Sequence, residues 1–449
     1  MAELRLYDTR TRAVLPLTTR DPGRVAIYAC GPTVYSRIHI GNARPFVVFS
    51  LFKRFLQHEG YEVTLAINVT DVNDKIYAAA VAAGAPSVTL AQEMTAQYFA
   101  DTDRLALGRP DHEPLASEWI EPIIAEIATL IERGHAYVSG GDVYFRVRSD
   151  SAYGTLSRRE VGEMDQGEGV EGAALKDDPL DFALWKAHKA DEDSRWDSPW
   201  GPGRPGWHIE CSAMSEGLLG PGFDIHGGGL DLLFPHHENE AAQTRCARGA
   251  ELAAIWMHNG ILNQDAEKMA KSVGNIAPLH AVLDEHGRDA VMLFFCGAHY
   301  RQPMDFGPAP LAQAQAGVAR LRELARSLVP GESPPRLAPL RERFFASLAE
   351  DWNTPAALAA LWEWVREVRR HDEPAGDGDL RAMLAVLGLE NLLDPAIAQA
   401  PAAVIALAQA REQARGARDF ARADALREEI AAAGWVVRDG ADGFELVAR

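Results

Sequence analysis

The chain has 449 residues, 47% of them hydrophobic, and a formal net charge of −19 at pH 7. Its length supports about three domains, no apolar run approaches the ~18 residues of a membrane span, and the acidic balance argues against indiscriminate nucleic-acid binding, so an RNA partner needs local basic surface. Met1-Ala2-Glu3-Leu4-Arg5 offers no apolar stretch for secretion, and four widely spaced cysteines (30, 211, 246 and 296) make no disulfide framework, so a cytoplasmic chain with reduced thiols or metal ligation is expected.

The first element is a buried strand, Val25 to Cys30, bounded by Asp21-Pro22-Gly23 and Gly31-Pro32. After His39-Ile40-Gly41-Asn42, the residues Phe46, Phe49, Phe52, Phe55 and Leu56 fall at helical spacing and predict a helix over Ala43 to Glu59. Gly60 stops it, and Val63 to Val69 reads as a second strand. In this βαβ opening, Gly41 at a helix start lets a phosphate or ribose approach the backbone. On its own the segment is a weak signal, and His39 alone reads equally as a structural histidine.

An insertion is expected over about 115–200. Phe223-Asp224-Ile225 predicts another strand, with Gly229 and Asp231 after it. Pro235 marks a helix start, which puts His236 and Glu240 on one face; His237 is the rival, at i, i+3 to Glu240. There is no CxxC, and a second His of an HExxH pattern would fall on Ala241. Cys30 and Cys211 read as ligands or as small buried hydrophobes, and Cys246 and Cys296 as structural.

Lys268-Met269-Ala270-Lys271-Ser272 stands out because only seven of the 45 Lys+Arg residues are lysine. Lysine is a compact point charge suited to a phosphate whose geometry changes. Residues 276–305 read as a mixed connecting segment. From Pro308 onward the pattern is helical, at Leu311 to Leu328, Leu340 to Leu348, Thr354 to Arg370 and Leu380 to Leu387. Arg411, Arg415, Arg418 and Arg422 at offsets 0, 4, 7 and 11 predict a basic stripe along one helix, read either as an RNA-phosphate contact or as ion pairing with Glu412 and Asp419. Gly434 to Val437 and Gly443 to Val447 look like a terminal strand pair.

Together these segments resemble the class I aminoacyl-tRNA synthetases, whose signatures are written HIGH and KMSKS. Cys30 to Tyr35, Asn68 to Ile76, Gly206 to Met214, Asp224 to Asp231, Phe234 to Glu240 and Trp256 to Gly260 narrow the resemblance to the cysteinyl-tRNA synthetases. It runs from about residue 4 to the C-terminus. Two positions depart from the signatures: Asn42 replaces the second His and Ala270 the first Ser.

The resemblance implies an α/β fold. A Rossmann-like parallel-sheet catalytic domain with an insertion precedes an α-helical anticodon-binding bundle and a small mixed α/β C-terminal module. The expected division is 1–114 and 201–262 for the catalytic halves, 115–200 for the insertion, 263–307 for the lysine loop and stem-contact region, 308–395 for the bundle, and 396–449 for the last module. Implied catalytic residues are His39, Lys268 and Lys271. ATP, with Mg2+, would meet His39, Gly41, Asn42, Gly229, Asp231 and Lys271; L-cysteine would meet Cys30, Thr70 and Trp207; and one Zn2+ per chain would sit on Cys30, Cys211, His236 and Glu240. His208, His226 and His258 remain unranked as donors to carboxylate or phosphate. The implied partner is tRNA(Cys), bound by a monomer without a membrane.

A soft metal has a physical purpose in such an enzyme. A pocket of ordinary shape separates one-atom differences by only about 10–200-fold, whereas zinc prefers a thiolate to a hydroxyl. The insertion is too short to carry an editing domain as well as a connector. Two other readings remain: an ATP-dependent ligase joining cysteine to an amino-sugar, and a non-catalytic RNA-binding paralogue. Pyrophosphate exchange and tRNA charging separate them.

Overall fold

A computed structural model describes residues 3–164, 173–264, 267–268, 276–371, 373–394, 402–417, 419–440 and 443–448. Lys271 and Arg418 lie outside the described residues, as does the side chain of Lys268. The described chain separates into two compact units, Met1–Glu390 and Asn391–Arg449.

The first unit opens with an antiparallel pair, β1 (Arg5–Asp8) and β2 (Ala13–Pro16). Then β3 (Arg24–Ala29), α1 (Ile40–His58) and β4 (Glu62–Ile67) form the βαβ unit read from the sequence. The predicted phenylalanine stripe of α1 is buried throughout, with Phe49 and Phe55 at 0% exposure, which is the burial a core-facing 3.6-residue period demands. Helices α2 (Asp74–Ala83) and α3 (Ser87–Asp103) follow.

The insertion comprises α4 (Ile120–Glu132) and an antiparallel sheet of β5 (Ala136–Ser139), β6 (Asp142–Phe145), β7 (Phe182–Ala187) and β8 (Gly203–Pro205), so its last strand extends past residue 200. It has no core to itself. Ile123, Ile127, Phe145, Phe182 and Trp185 pack with Ile209 and Ala213 of α5 (Trp207–Leu219). The chain then returns to the main sheet with β9 (Phe223–Gly229), α6 (Glu238–Arg248) and β10 (Ala253–Asn259).

The main sheet is parallel, in the order β10-β9-β3-β4. The chain first adds β4 to one side of β3 and later β9 to the other, so the order reverses beside β3. Ligand crevices of open α/β sheets form at the carboxyl ends of strands flanking such a reversal.

Beyond the sheet, β11 (Leu262–Gln264) pairs antiparallel with β12 (Glu267–Lys268) and parallel with β13 (Met304–Phe306). The segment 276–305 resolves into α7 (Leu279–His286) and α8 (Arg288–Cys296) before β13. The mixed signal arose because α8 is buried on nearly every side, which erases helical periodicity. The four predicted helices are α9 (Pro308–Ala325), α10 (Ala338–Ala349), α11 (Thr354–Arg369) and α12 (Gly378–Val386). The second unit holds α13 (Ala402–Gly416), α14 (Phe420–Ala432) and the expected hairpin, β14 (Trp435–Gly440) with β15 (Gly443–Ala448).

One glycine fixes the mouth of the crevice. Gly31 donates its N–H to Asn68 Oδ1 at 2.9 Å, and an added Cβ there would lie 1.7 Å from the Asn68 carbonyl oxygen. The loops after β3 and β4 can approach only because that atom is missing. Gly31→Ala is therefore expected to cost about 2 kcal/mol or more, read as a lower urea midpoint; an unchanged midpoint would show that the loops separate freely.

Candidate active site

A cavity of about 530 Å³ lies at the carboxyl ends of β3 and β9, with Cys30, His39, Gly41, Asn42, Trp207, Gly229 and Asp231 among its walls. His39 caps α1: its ring Nδ1 accepts the Gly41 N–H at 3.1 Å, and the Asn42 side-chain oxygen accepts the His39 N–H at 3.2 Å. Asn42 therefore acts as an acceptor at the helix start, a reciprocal cap that satisfies two orphan donors. Gly229 ends β9 rather than following it, and Asp231 lies in the turn beyond. Thr70 is 2% exposed, bonded to Asn68 Nδ2 at 3.3 Å, and is not among the residues lining the cavity.

Beneath the cavity lies a fully buried donor cluster. Cys30 leaves the end of β3 and Cys211 sits on α5, four residues after Trp207 on the same helix face. His236 comes from the irregular turn Leu233–His237 and Glu240 from the first turn of α6, so the predicted helix start moves from Pro235 to Glu238 but the pair still meets. Cys30 Sγ is 3.6 Å from Cys211 Sγ, His236 Nε2 and Glu240 Oε1, and His236 Nε2 is 2.8 Å from Glu240 Oε1. Ligands of a tetrahedral ion with Zn–S near 2.3 Å and Zn–N near 2.0 Å stand about 3.6–3.8 Å apart along edges that include sulfur. The donor set and its spacing fit zinc.

Histidines complete the cluster in an arrangement that linear spacing could not rank. His226 Nε2 meets Glu240 Oε2 at 2.7 Å while its Nδ1 meets the Tyr28 carbonyl at 3.0 Å. His208 and His236 approach through their Nδ1 atoms at 3.0 Å. His237 Nδ1 lies 2.7 Å from His258 Nε2, and His258 Nδ1 lies 2.8 Å from Thr9 Oγ1. The rival His237 is 4.0 Å from Glu240 Oε1, farther than His236, yet Cys30, His226, His237 and Glu240 also lie within metal-binding range of one another. Trp207 stacks on His236 at 4.3 Å, linking cavity wall to cluster.

The cluster polarises its members. The Cys30 thiol donating to Cys211, with His236 beside it, draws Cys211 down to about 6, while burial pushes Cys30 well up. Against burial, His236 and His226 hold the Glu240 carboxyl well below its ordinary range. Glu240 and Cys211 in turn overcome the burial of His236 and raise it to about 10. Burial forces His208 and His237 well down and His258 to about 3, so these three rings are neutral. Cys246 and Cys296 are buried apart from the cluster, as expected.

The basic stripe does not form as predicted. Gly416 ends α13, and Asp419 caps α14 by accepting the Arg422 N–H at 3.1 Å, so Arg411 and Arg415 lie on one helix and Arg422 on another. Arg411 is also buried, at 6% exposure. A side-chain oxygen competing for the backbone broke the continuous helix on which the offsets relied.

The parallel sheet, the capped signature helix and the crevice between β3 and β9 define a class I aminoacyl-tRNA synthetase. Residues 16–316 match the family of tRNA synthetases class I (C) catalytic domains, 343–391 the DALR domain, and 398–445 the cysteinyl-tRNA ligase anticodon-binding domain. Cysteine–tRNA ligases of Halorhodospira halophila and Rhodospirillum rubrum are 46% and 45% identical, each over 98% of both chains. The chain belongs to the cysteinyl-tRNA ligase family and is an aminoacyl-tRNA ligase. Among solved structures, the methionyl-tRNA synthetase of Mycobacterium tuberculosis with methionyl-adenylate superposes with a TM-score of 0.63 at 17% identity, covering 89% of this chain and 96% of that one; this likeness concerns the fold.

Glu240→Ala should leave His226 and His236 without their anion, destabilising the protein by about 3–5 kcal/mol in chemical unfolding. A loss under 1 kcal/mol would mean that the cluster is not held by this charge.

Proposed function

We propose that the cavity binds Mg2+-ATP and L-cysteine, forms cysteinyl-adenylate, and transfers the cysteinyl group to the 3′ end of tRNA(Cys). The observation that carries this reading is that one cavity joins the capped start of α1, the Gly229–Asp231 turn and the buried Cys30–Cys211–His236–Glu240 cluster. The segment 398–445, matched to an anticodon-binding domain, favours tRNA over an amino-sugar as acceptor. The protein acts as a cytoplasmic monomer; none of the described helices is long and apolar enough to cross a membrane.

The cysteine carboxylate attacks the α-phosphorus and pyrophosphate leaves, so catalysis is mainly positioning and neutralisation of developing charge. His39 binds ATP phosphates at the N-terminus of a 19-residue helix, where backbone donors and the helix dipole favour anions. Gly41 admits the nucleotide close to the chain, and Asn42 fixes the His39 backbone. Gly229 and Asp231 take the ribose hydroxyls. Lys271, aided by Lys268, neutralises the departing pyrophosphate. Trp207 and Thr70 shape the cysteine pocket, with Thr70 acting from behind its wall. Cys30, Cys211, His236 and Glu240 hold one Zn2+, which when bound favours a thiolate over a hydroxyl and so selects cysteine against serine. In the C-terminal unit the exposed Arg415 of α13 and Arg422 of α14, together with Arg418, contact RNA phosphate, whereas Arg411 is buried.

Lys271→Ala should lower kcat for pyrophosphate exchange by about 10²-fold with cysteine KM nearly unchanged, whereas Ala270→Ser should alter neither. Equal losses in rate and cysteine affinity would mean that the loop orders the pocket. Purified protein should carry one zinc per chain, and full zinc in a Cys30→Ala, Cys211→Ala double variant would sink the ligand set. Replacing Arg415, Arg418 and Arg422 with Gln should spare pyrophosphate exchange and flatten the slope of log affinity for tRNA against log salt, by up to about one unit per lost phosphate contact. An unchanged slope would leave these arginines as a solvated face.

A further inference from the structure

A short loop, His299 to Gln302, is gripped from two sides. From α1, the Arg44 guanidinium reaches four main-chain carbonyls: Gly260 at 2.6 Å, Ile261 at 3.3 Å, His299 at 3.1 Å and Gln302 at 2.8 Å. Arg44 is 2% exposed, and these four acceptors are all neutral, so its fork is spent on geometry rather than on a carboxylate. Gly260 N–H donates to the Tyr300 carbonyl at 2.7 Å, and Met304 N–H to the Ile261 carbonyl at 3.0 Å. The loop thus fixes the chain at the exit of β10, just before β11.

The opposite grip comes from the elbow between α10 and α11. Asp351 Oδ1 accepts the Tyr300 hydroxyl at 2.8 Å and the Tyr7 N–H at 2.9 Å. Its Oδ2 receives the Arg301 guanidinium through Nε at 2.8 Å and through Nη2, while the Arg301 guanidinium lies 4.3 Å over the Tyr7 ring. The elbow is an unusual backbone: Asp351 and the following Trp352 have φ of 58° and 49°, a left-handed pair without glycine that persists only where its surroundings over-determine it. Trp352 supplies the anchor, 1% exposed and 5.4 Å from the rings of both Phe52 and Phe55 on α1. The same helix that begins at His39 therefore holds the elbow at its other end.

We propose that Asp351 is a positioning residue for adenylate formation. It clamps the 299–302 loop from the DALR-domain segment while Arg44 clamps it from the signature helix, and together they fix the course of β11, the strand with which β12, ending at Lys268, pairs. Asp351 touches no substrate; it acts through Tyr300 and Arg301 on Gly260 and β11. The inference rests on the proposed assignment of Lys268 and Lys271 to the departing pyrophosphate.

The test uses the full chain in tRNA-free pyrophosphate exchange, with Lys271→Ala, Asp351→Asn and Tyr300→Phe measured in parallel. Asp351→Asn is expected to lower kcat about tenfold, as a displacement well under 1 Å does, with cysteine KM within about twofold and zinc content unchanged. Amide exchange should quicken over residues 259–264. Tyr300→Phe removes one donor from the clamp and should lower kcat by about two- to threefold, which keeps the test decisive where Asp351→Asn does not fold. A folded Asp351→Asn with undiminished kcat would overturn the clamp, as would a loss shared equally between kcat and cysteine KM or unchanged exchange over 259–264. If Tyr300→Phe is the only folded variant, undiminished kcat in it overturns the clamp as well. A normal rate in Lys271→Ala would instead overturn the lysine assignment.

Discussion

Everything around the cavity is arranged to keep one carboxylate ionised where no water reaches it. Glu240 has no exposure, and an unpaired charge at such a site costs several kcal/mol. His236 and His226 each bind one of its oxygens. Those imidazoles are held in turn, His226 by the Tyr28 carbonyl on β3 and His236 by His208 on α5. The constraint propagates outward: β3 and β9 must be neighbours and α5 must lie along them. The turn before α6 must deliver His236 to Glu240 and His208, and His237 to His258. A buried polar network of this kind is stabilising only when every member is placed.

Much of the basic complement is likewise consumed inside the protein. Arg204 on β8 pairs with Asp74 on α2 and with Glu192, and Lys186 on β7 also meets Asp74. Ser87 at the start of α3 is held by Asp193, and Tyr77 on α2 by Ser194. These links fasten β7, β8 and the segment 192–194 to α2 and α3. Arginine counted from composition is thus a poor measure of what is left for RNA, as buried Arg411 illustrates.

Local periodicity made β3, α1 and β4 legible to within a few residues, because a half-buried helix and buried strands write their burial into hydrophobic spacing. His236 and Glu240 do meet, although His236 lies in the irregular turn before α6 and not on the helix face that the spacing assumed. Cys30 and Cys211 lie 181 positions apart, and no spacing rule joins them; only the resemblance did. His226 and His258 resisted ranking because their partners, Glu240 and the Tyr28 carbonyl for the one and His237 and Thr9 for the other, come from segments distant in sequence. The arginine stripe failed because a helix assumed continuous was cut by Gly416 and the Asp419 cap. The elbow at Asp351 carried no signal at all, since a left-handed aspartate looks like any other in sequence.

The reciprocal cap at His39 and Asn42 separates two meanings folded into the signature tetrapeptide. What the fourth position supplies here is a short side chain offering a lone pair to a main-chain amide, a demand that a carboxamide meets as well as an imidazole. The first position is different, because a ring whose Nδ1 already accepts the Gly41 proton must, when neutral, carry its own proton on Nε2. The backbone thereby chooses the tautomer and turns the ring into a directed donor. Drift within this motif is then a matter of interchangeable scaffolding at one letter and irreplaceable reagent at another, and pattern searches that weigh the two alike will mistake a carpentry change for lost chemistry.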